Sequence, residues 1–310
     1  MRTHALSRRG FLNAAALTSA GAVLAGPAGL LAAEPRARLA AQDLGNGLTL
    51  ITGAGANVVA FGSPEGAMLF DGGRREHARA LLKLALEAAG ANKAHTLVNT
   101  HWHPQQTGLN ETLGKQGIRI LAHENTRLWL TRAIEVEWLP QRHAAFAKAA
   151  QPNASFYTTE TLAFGGEDIT FGHLGQAHTD GDLYAWLPRA NVLIAGGVVS
   201  SAGWPLMDWR TGGWIGGLVG AHDRLLKIAN DGTRIIGADG APIDRATLQA
   251  HRDMYFTIFD RLVKELVKGH GPDEAHASGP AREFEAAWGD SRQFVLDSFR
   301  SLWGHYAPDA

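Results

Sequence analysis

The chain contains no cysteine. That absence excludes disulfides, a thiol nucleophile, iron–sulfur ligation and any zinc site built with thiolate. An excess of positive charge is missing as well: 29 Lys+Arg stand against 30 Asp+Glu in 310 residues, and the pI lies near 6.9. There is no overall basic field to hold nucleic acid. Neither a Gly-x-Ser-x-Gly elbow nor a P-loop occurs. Gly53-Ala54-Gly55-Ala56-Asn57-Val58 begins like a dinucleotide fingerprint but lacks its last glycine and leads into a strand pattern, so it reads as a hairpin turn. What the chain does have is 14 His and 37 Gly. The histidines are the first place to look for chemistry, and so much glycine suggests tight turns rather than a helical bundle. A hydrophobic share of 45% suffices for one large core or two modest ones.

Residues 1–33 read as an address. Arg8-Arg9 stand in a Ser-Arg-Arg-Gly-Phe-Leu context, followed by an Ala-rich, mildly apolar stretch and small residues near Ala33. This is the pattern of a twin-arginine export signal, with the twin-arginine machinery as partner and an exported, periplasmic destination. The alternative is an uncleaved membrane anchor, but Asn13, Thr18, Ser19 and Pro27 interrupt the apolar run. No stable membrane span is expected in the mature chain. The route carries folded proteins, which hints at a cofactor, and an oxidising destination suits a chain without thiols.

From Glu34 onward no repeat, charge block or Pro/Ser-rich linker divides the chain, so 34–310 is read as one domain with a helical C-terminal part from about 244. Leu48–Thr52, Asn57–Phe61 and Ala67–Phe70 read as a β-meander. Glu76–Ala89 has helical periodicity and ends at Gly90. A strand is expected at His95–Asn99 and another at Ile118–Leu121, with helical stretches at Leu109–Lys115 and Asn125–Ala133. Residues 134–158 read as a loop or flap. Further strands are expected at Thr161–Phe164, Ile169–Phe171, Leu183–Leu187, Val192–Ala195 and 233–237. Helices are expected over about 213–229, 244–268 and 281–304. Two successions of strands, each ending in helix, suggest α/β sheets sandwiched between helices.

Two segments carry chemistry. In Asn99-Thr100-His101-Trp102-His103-Pro104-Gln105-Gln106-Thr107-Gly108, histidines at i and i+2 follow a strand and can turn both imidazoles to one side of a tight loop. Zinc accepts imidazole nitrogen, and catalytic zinc often uses three protein ligands plus water. Alone, the pair is more commonly two core or surface histidines. In Ala177-His178-Thr179-Asp180-Gly181-Asp182, one His and two carboxylates could supply a third ligand and an acceptor behind it. Read alone, it is equally a capped turn. Asp71, before Gly72-Gly73, is either a turn former or a support for the metal loop.

Together these segments resemble the metallo-β-lactamase-fold hydrolases. Gly66–Gly73 is similar to the early strand ending in an Asp, Thr100–Gly108 to the HxHxDH loop, and Ala177–Asp182 to the third-histidine turn. Asn191–Val199 resembles the strand carrying the bridging Asp, Asp208–Gly213 a loop and helix start of one branch, and Ile235–Ala246 the stretch holding the last metal His. The resemblance implies an αββα sandwich of two mixed sheets flanked by helices. It places His101, His103 and His178 as metal ligands and Asp71, Asp180 and Asp182 behind them.

The departures from the family pattern are specific. Gln105 and Gln106 stand for its Asp and His, Gly197 for the bridging Asp, and Asp239 for the last His. Neutral amides are poor ligands for a divalent ion. The resemblance therefore implies one zinc ion, although imidazole also suits manganese and iron. It implies an exported hydrolase in which metal-bound hydroxide attacks an ester, lactone, amide or related bond of a small molecule. Asp239 is then an extra ligand or general base. The alternative is a non-catalytic descendant that binds a metal or ligand. Gly269-His270-Gly271 spells a family motif in the wrong place, after a helix, so His270 is expected at the surface. Gly203–Gly217 holds three of the nine Trp, and Trp204 together with Trp102 is expected to line the pocket.

Overall fold

An Asn-Gly pair opens the fold. Asn46 and Gly47 both take positive φ, +53° and +77°, the signature of a two-residue hairpin turn whose twist matches that of its strands. They join β1 (Ala40–Gly45) to β2 (Leu48–Thr52), and the meander continues through β3 (Val58–Ser63) and β4 (Gly66–Phe70). The computed structural model describes residues 38–134 and 143–306. The twin-arginine segment 1–33 and part of the expected 134–158 loop lie outside the described residues.

After β4 come α1 (Ala78–Ala88), β5 (Ala94–Asn99), α2 (Asn110–Gly114), β6 (Arg119–His123), α3 (Glu124–Leu130) and β7 (Ala154–Phe156). These strands form a seven-stranded sheet in chain order, antiparallel from β1 to β4 and parallel from β4 to β7. The second half supplies β8 (Thr159–Phe164), β9 (Glu167–His173), β10 (Leu183–Leu187), β11 (Val192–Gly196), α4 (Ile215–Ile228) and β12 (Arg234–Gly237). Its five-stranded sheet runs β12-β11-β10-β9-β8, antiparallel except for the β11–β12 pair. The chain ends in α5 (Arg245–Val267), α6 (Pro272–Ala277), α7 (Glu285–Trp288) and α8 (Arg292–Tyr306).

Alternation along the strands explains the layers. Leu50, Val59, Met68 and Phe70 from the first sheet meet Phe164, Ile169, Phe171 and Leu183 from the second in one buried cluster. The opposite face of the first sheet, including Ile51, Val58 and Leu69, packs against Leu81 and Ala85 of α1 and Leu113 of α2. Leu193 and Ile235 cover the outer face of the second sheet against α4, α5 and α8. Each fully buried Leu, Ile or Phe in these layers contributes roughly 1.5–3 kcal/mol of transfer free energy. The result is the expected αββα sandwich of two mixed sheets flanked by helices.

Three elements depart from the sequence expectation. Strand β1 is exposed at five of its six residues and has no apolar alternation to betray it. The stretch expected as a flap contains β7 and a two-way backbone bridge between Ile134 and His143. The C-terminal helix expected over 281–304 is broken into a 3-10 turn, α7 and α8, because Gly289 takes φ +82°. Among the described residues no helix is long and apolar enough to cross a membrane.

One rim of the sandwich collects the residues of interest. Asp71 follows β4, His101 follows β5, His178 precedes β10, Gly197 follows β11 and Asp239 follows β12. The C-terminal ends of parallel strands are where open α/β sheets leave a crevice.

Candidate metal centre

His101, His103 and His178 converge at that rim. One ligand nitrogen from each lies within 4.8 Å of the others, and all three side chains are buried. Their rings meet edge to face, with centroids 4.6 Å apart for His101–His103 and 4.7 Å for the other two pairs. Burial, reinforced by the neighbouring imidazoles, holds His101 and His103 well below the usual imidazole range, so both are neutral at pH 7. A neutral imidazole is the form that binds a metal.

Neighbouring groups decide which nitrogen of each ring carries the lone pair. Asp71 accepts the Thr100 backbone N–H and its hydroxyl, both at 2.8 Å. With its proton given to Asp71, the Thr100 oxygen accepts from His101 Nδ1 at 3.0 Å, which leaves Nε2 as the donor to a metal. Asp71 therefore acts on the histidine through Thr100. It sits in the left-handed region at φ +63°, and burial pushes its carboxyl up to about 7. His178 Nδ1 faces Asp182 Oδ1 at 3.4 Å, and Asp182 also accepts the Thr179 N–H at 2.6 Å and its hydroxyl at 3.0 Å. Asp182 thus shapes the turn and orients the ring together. For His103, Nε2 lies 3.0 Å from Asp208 Oδ2, which points Nδ1 to the ligand role.

Asp208 is the residue that sequence reasoning missed. Fully buried, it also accepts from Trp102 Nε1 at 3.1 Å and from the Thr211 hydroxyl, and burial raises its carboxyl above the usual range. A local signal existed: Asp208 caps a 3-10 turn by accepting the Thr211 N–H at 3.3 Å, as an Asp three residues ahead of its partner does. Its distance from His103 in the chain gave no hint of their contact. Helix α3 is a second support without a sequence signal. Asn125 Nδ2 donates to the Asp180 carbonyl (2.9 Å), Thr126 to the Gly181 carbonyl (3.0 Å) and Trp129 Nε1 to Asp180 Oδ1 (2.7 Å), fastening the third-histidine turn. Burial pushes the Asp180 carboxyl up to about 6.

The remaining expected residues fall in different places. Trp102 is 1% exposed, so it packs beneath the loop and offers little surface to a pocket. Trp204 stacks on Phe294 (4.9 Å), meets Trp288 at a tilt (5.3 Å) and donates to the Gly289 carbonyl, which places it in the C-terminal helical layer. Asp239 Oδ1 accepts from Ser200 Oγ (2.8 Å) and from the backbone N–H groups of Ser201 and Ala202, so that oxygen ties down the loop after β11; Asp239 is not among the clustered ligands. Gln105 is half-buried beside a cavity, whereas Gln106 is buried with its Oε1 unpartnered. At Gly197 a Cβ would fall 2.4 Å from His178 Nδ1 and 3.0 Å from His101 Cε1. The His178 ring occupies the space a side chain there would need. His270 lies at the end of α5 on Glu265, 2.6 Å away, with 43% of its side chain exposed.

A buried set of three imidazoles with oriented lone pairs, backed by carboxylates and containing no thiolate, fits a divalent first-row ion such as zinc. Residues 51–255 match the family model of the metallo-beta-lactamase superfamily. The chain belongs to that superfamily, whose members are metal-dependent hydrolases. Among solved structures it is similar to a metallo-beta-lactamase from Pontibacter korlensis, with 20% identity and a TM-score of 0.57 over 70% of this chain and 99% of that one. The DIM-1 metallo-beta-lactamase gives 19% identity and a TM-score of 0.56 over 71% and 97% of the two chains. A double mutant of the sec-alkyl sulfatase PisA1 gives 18% and 0.61, covering 85% of this chain and 49% of that one. At these identities the likeness is one of fold. No curated protein matches the chain.

Proposed function

We propose that this protein is an exported hydrolase working with one zinc ion held by His101, His103 and His178. The observation that carries the reading is the convergence of three buried imidazoles, with one ligand nitrogen of each within 4.8 Å of the others and Thr100, Asp208 and Asp182 each beside one ring nitrogen. When bound, such an ion acidifies water toward neutral pKa and polarises the oxygen of a scissile group. The bond class is an ester, lactone, amide or related linkage in a small molecule.

The chain's own residues support a single ion. Gly197 leaves no room for a bridging carboxylate, and Gln105 and Gln106 supply neutral amides where a second ion would need charge or imidazole. Gln105 cannot deliver a proton to a leaving group. Asp239 remains a candidate base only if its serine contacts open. Arg8-Arg9 and the small residues near Ala33 support twin-arginine export to the periplasm.

Metal analysis of the purified protein beside His101→Ala tests the reading. About one zinc per chain, lost in the variant, is expected, followed by turnover in a panel of esters, lactones and lactams. No metal after refolding with zinc overturns it. One zinc with no turnover across the panel supports instead a non-catalytic metal-binding protein. Export is read separately, by fusing residues 1–33 to a reporter. Arg8→Lys with Arg9→Lys is expected to keep that reporter in the cytoplasm.

A further inference from the structure

A cavity of about 880 Å³ borders the metal loop. Pro104 and Gln105, the two residues after His103, form part of its wall, and His143 forms another part. The His143 ring stands edge-on to Trp102 at 5.8 Å, and Trp102 in turn meets His103 at 4.6 Å. From the cavity wall at His143, Trp102 and then His103 make two ring-to-ring steps to the metal centre.

Its charges are unequal in what they have left to offer. Arg75 and Glu111 pair at 2.5 Å, and Lys115 closes on the same carboxylate at 2.6 Å. Arg74 has no ion pair among the described residues, yet it is held in place. Its backbone N–H donates to the Ala54 carbonyl at 2.7 Å. Its stem lies over Gly55, where a Cβ would fall 2.5 Å from Arg74 Cγ, 2.7 Å from Cδ and 2.9 Å from Nε. Gly55 adopts φ +90°, a conformation that L side chains rarely take, so the seat for Arg74 is built into the backbone. Glu76 also lines the cavity, but it sits in a 3-10 turn with no comparable seat. The other wall is apolar, formed by Ala144, Ala145, Phe146 and Ala147.

We propose that this cavity binds an amphipathic organic anion, with its anionic head on Arg74 and its apolar body along Ala144–Ala147. A seated guanidinium without a carboxylate is suited to a planar or tetrahedral oxyanion. An apolar wall facing fixed polar groups is a usual lining of a small-molecule site. The inference rests on the hydrolase reading only in taking that anion for the substrate, since the binding chemistry itself needs no metal.

Calorimetric titration of metal-free full-length protein with octanoate, octan-1-ol and octylamine tests the proposal. Octanoate is expected to bind at least about tenfold more tightly than the alcohol or the amine. Arg74→Gln should bring octanoate down to the level of octan-1-ol with an unchanged melting temperature, and Phe146→Ala, which also loses packing on Trp102, Leu130 and Ile134, should weaken both ligands. Octylamine binding as well as octanoate would assign the cavity to Glu76 and overturn the proposal. Absence of octanoate binding would overturn it too, as would an unchanged affinity in Arg74→Gln. Octanoate binding by a protein that takes up no zinc would leave the cavity's role standing while the hydrolase reading falls. Zinc uptake with no octanoate binding would do the reverse.

Discussion

Asp208 Oδ2 lies 3.0 Å from His103 Nε2, and the same buried carboxylate takes the indole N–H of Trp102 at 3.1 Å. One acid therefore fixes a metal-loop histidine and the tryptophan beside it. Asp208→Ala removes the acceptor that selects the His103 tautomer. Metal affinity is expected to fall by about 10–100-fold, read by competition with a chelator. The Trp102 N–H and Thr211 hydroxyl lose an acceptor as well, so metal-free stability should drop by roughly 1–3 kcal/mol in urea unfolding. Unchanged zinc affinity would remove Asp208 from the site.

At Gly197, where the resemblance places a bridging acid, sterics oppose any side chain. A Cβ there would lie 2.4 Å from His178 Nδ1 and 2.6 Å from His178 Cε1. Gly197→Asp puts back the acid that the family pattern has at this place, but the ring must move to admit it. The expected outcome is no second ion and at least about tenfold weaker binding of the first. Two ions per chain in that variant, by plasma emission spectrometry, would show that the ring yields and that the new acid can hold a second ion.

The histidine positions were legible because they sit in local patterns: two imidazoles at i and i+2 after β5, and a His-Thr-Asp-Gly-Asp turn before β10. Asp71 was legible as a strand-end acid, but its action through Thr100 was not, since it depends on the parallel pairing of β4 with β5. Asp208 and His143 meet the metal loop only in three dimensions, and no spacing rule links them to it. Trp204 shows the opposite failure. Its sequence neighbourhood pointed to a pocket, but Trp288 and Phe294, some ninety residues later in chain order, gave it an apolar place to pack. Strand β1 escaped notice because an exposed edge strand has no hydrophobic period, although Asn46-Gly47 announced its hairpin.

His270 and His103 make a matched pair of controls. Gly269-His270-Gly271 looks like a metal motif, but the ring lies on Glu265 at the end of α5, outside the three-histidine cluster. His270→Ala is expected to leave zinc content unchanged, with a stability effect within about 0.5 kcal/mol, as for an ordinary surface substitution. His103→Ala should abolish zinc binding. Zinc lost from the His270 variant would mean that the metal is held elsewhere.

His123 and His173 stack face to face with centroids 3.6 Å apart, and this pair should set part of the acid sensitivity of the fold. His123 Nε2 donates to the Tyr157 carbonyl at 2.9 Å, while Nδ1 accepts the Asn125 N–H and so caps α3. Both nitrogens are used by the neutral ring. Burial, with His173 adding to it, pushes His123 down to about 4 from an ordinary value of 6.5. Below 6.5 the unfolded chain takes up a proton that the folded chain refuses until about pH 4. Stability from this group is therefore complete above 6.5 and is lost as pH falls from 6.5 toward 4. The loss is on the order of 2 kcal/mol across that window, allowing for solvent screening of a site near the surface. His123→Asn keeps an N-cap side chain without the titration. Urea unfolding of metal-free protein at pH 7, 5.5 and 4.5 should show a shallower decline in the variant. The slope that remains belongs to groups shifted the same way, such as fully buried His222, also held at about 4. Parallel declines in the two proteins would show that His123 titrates alike in the folded and unfolded chains.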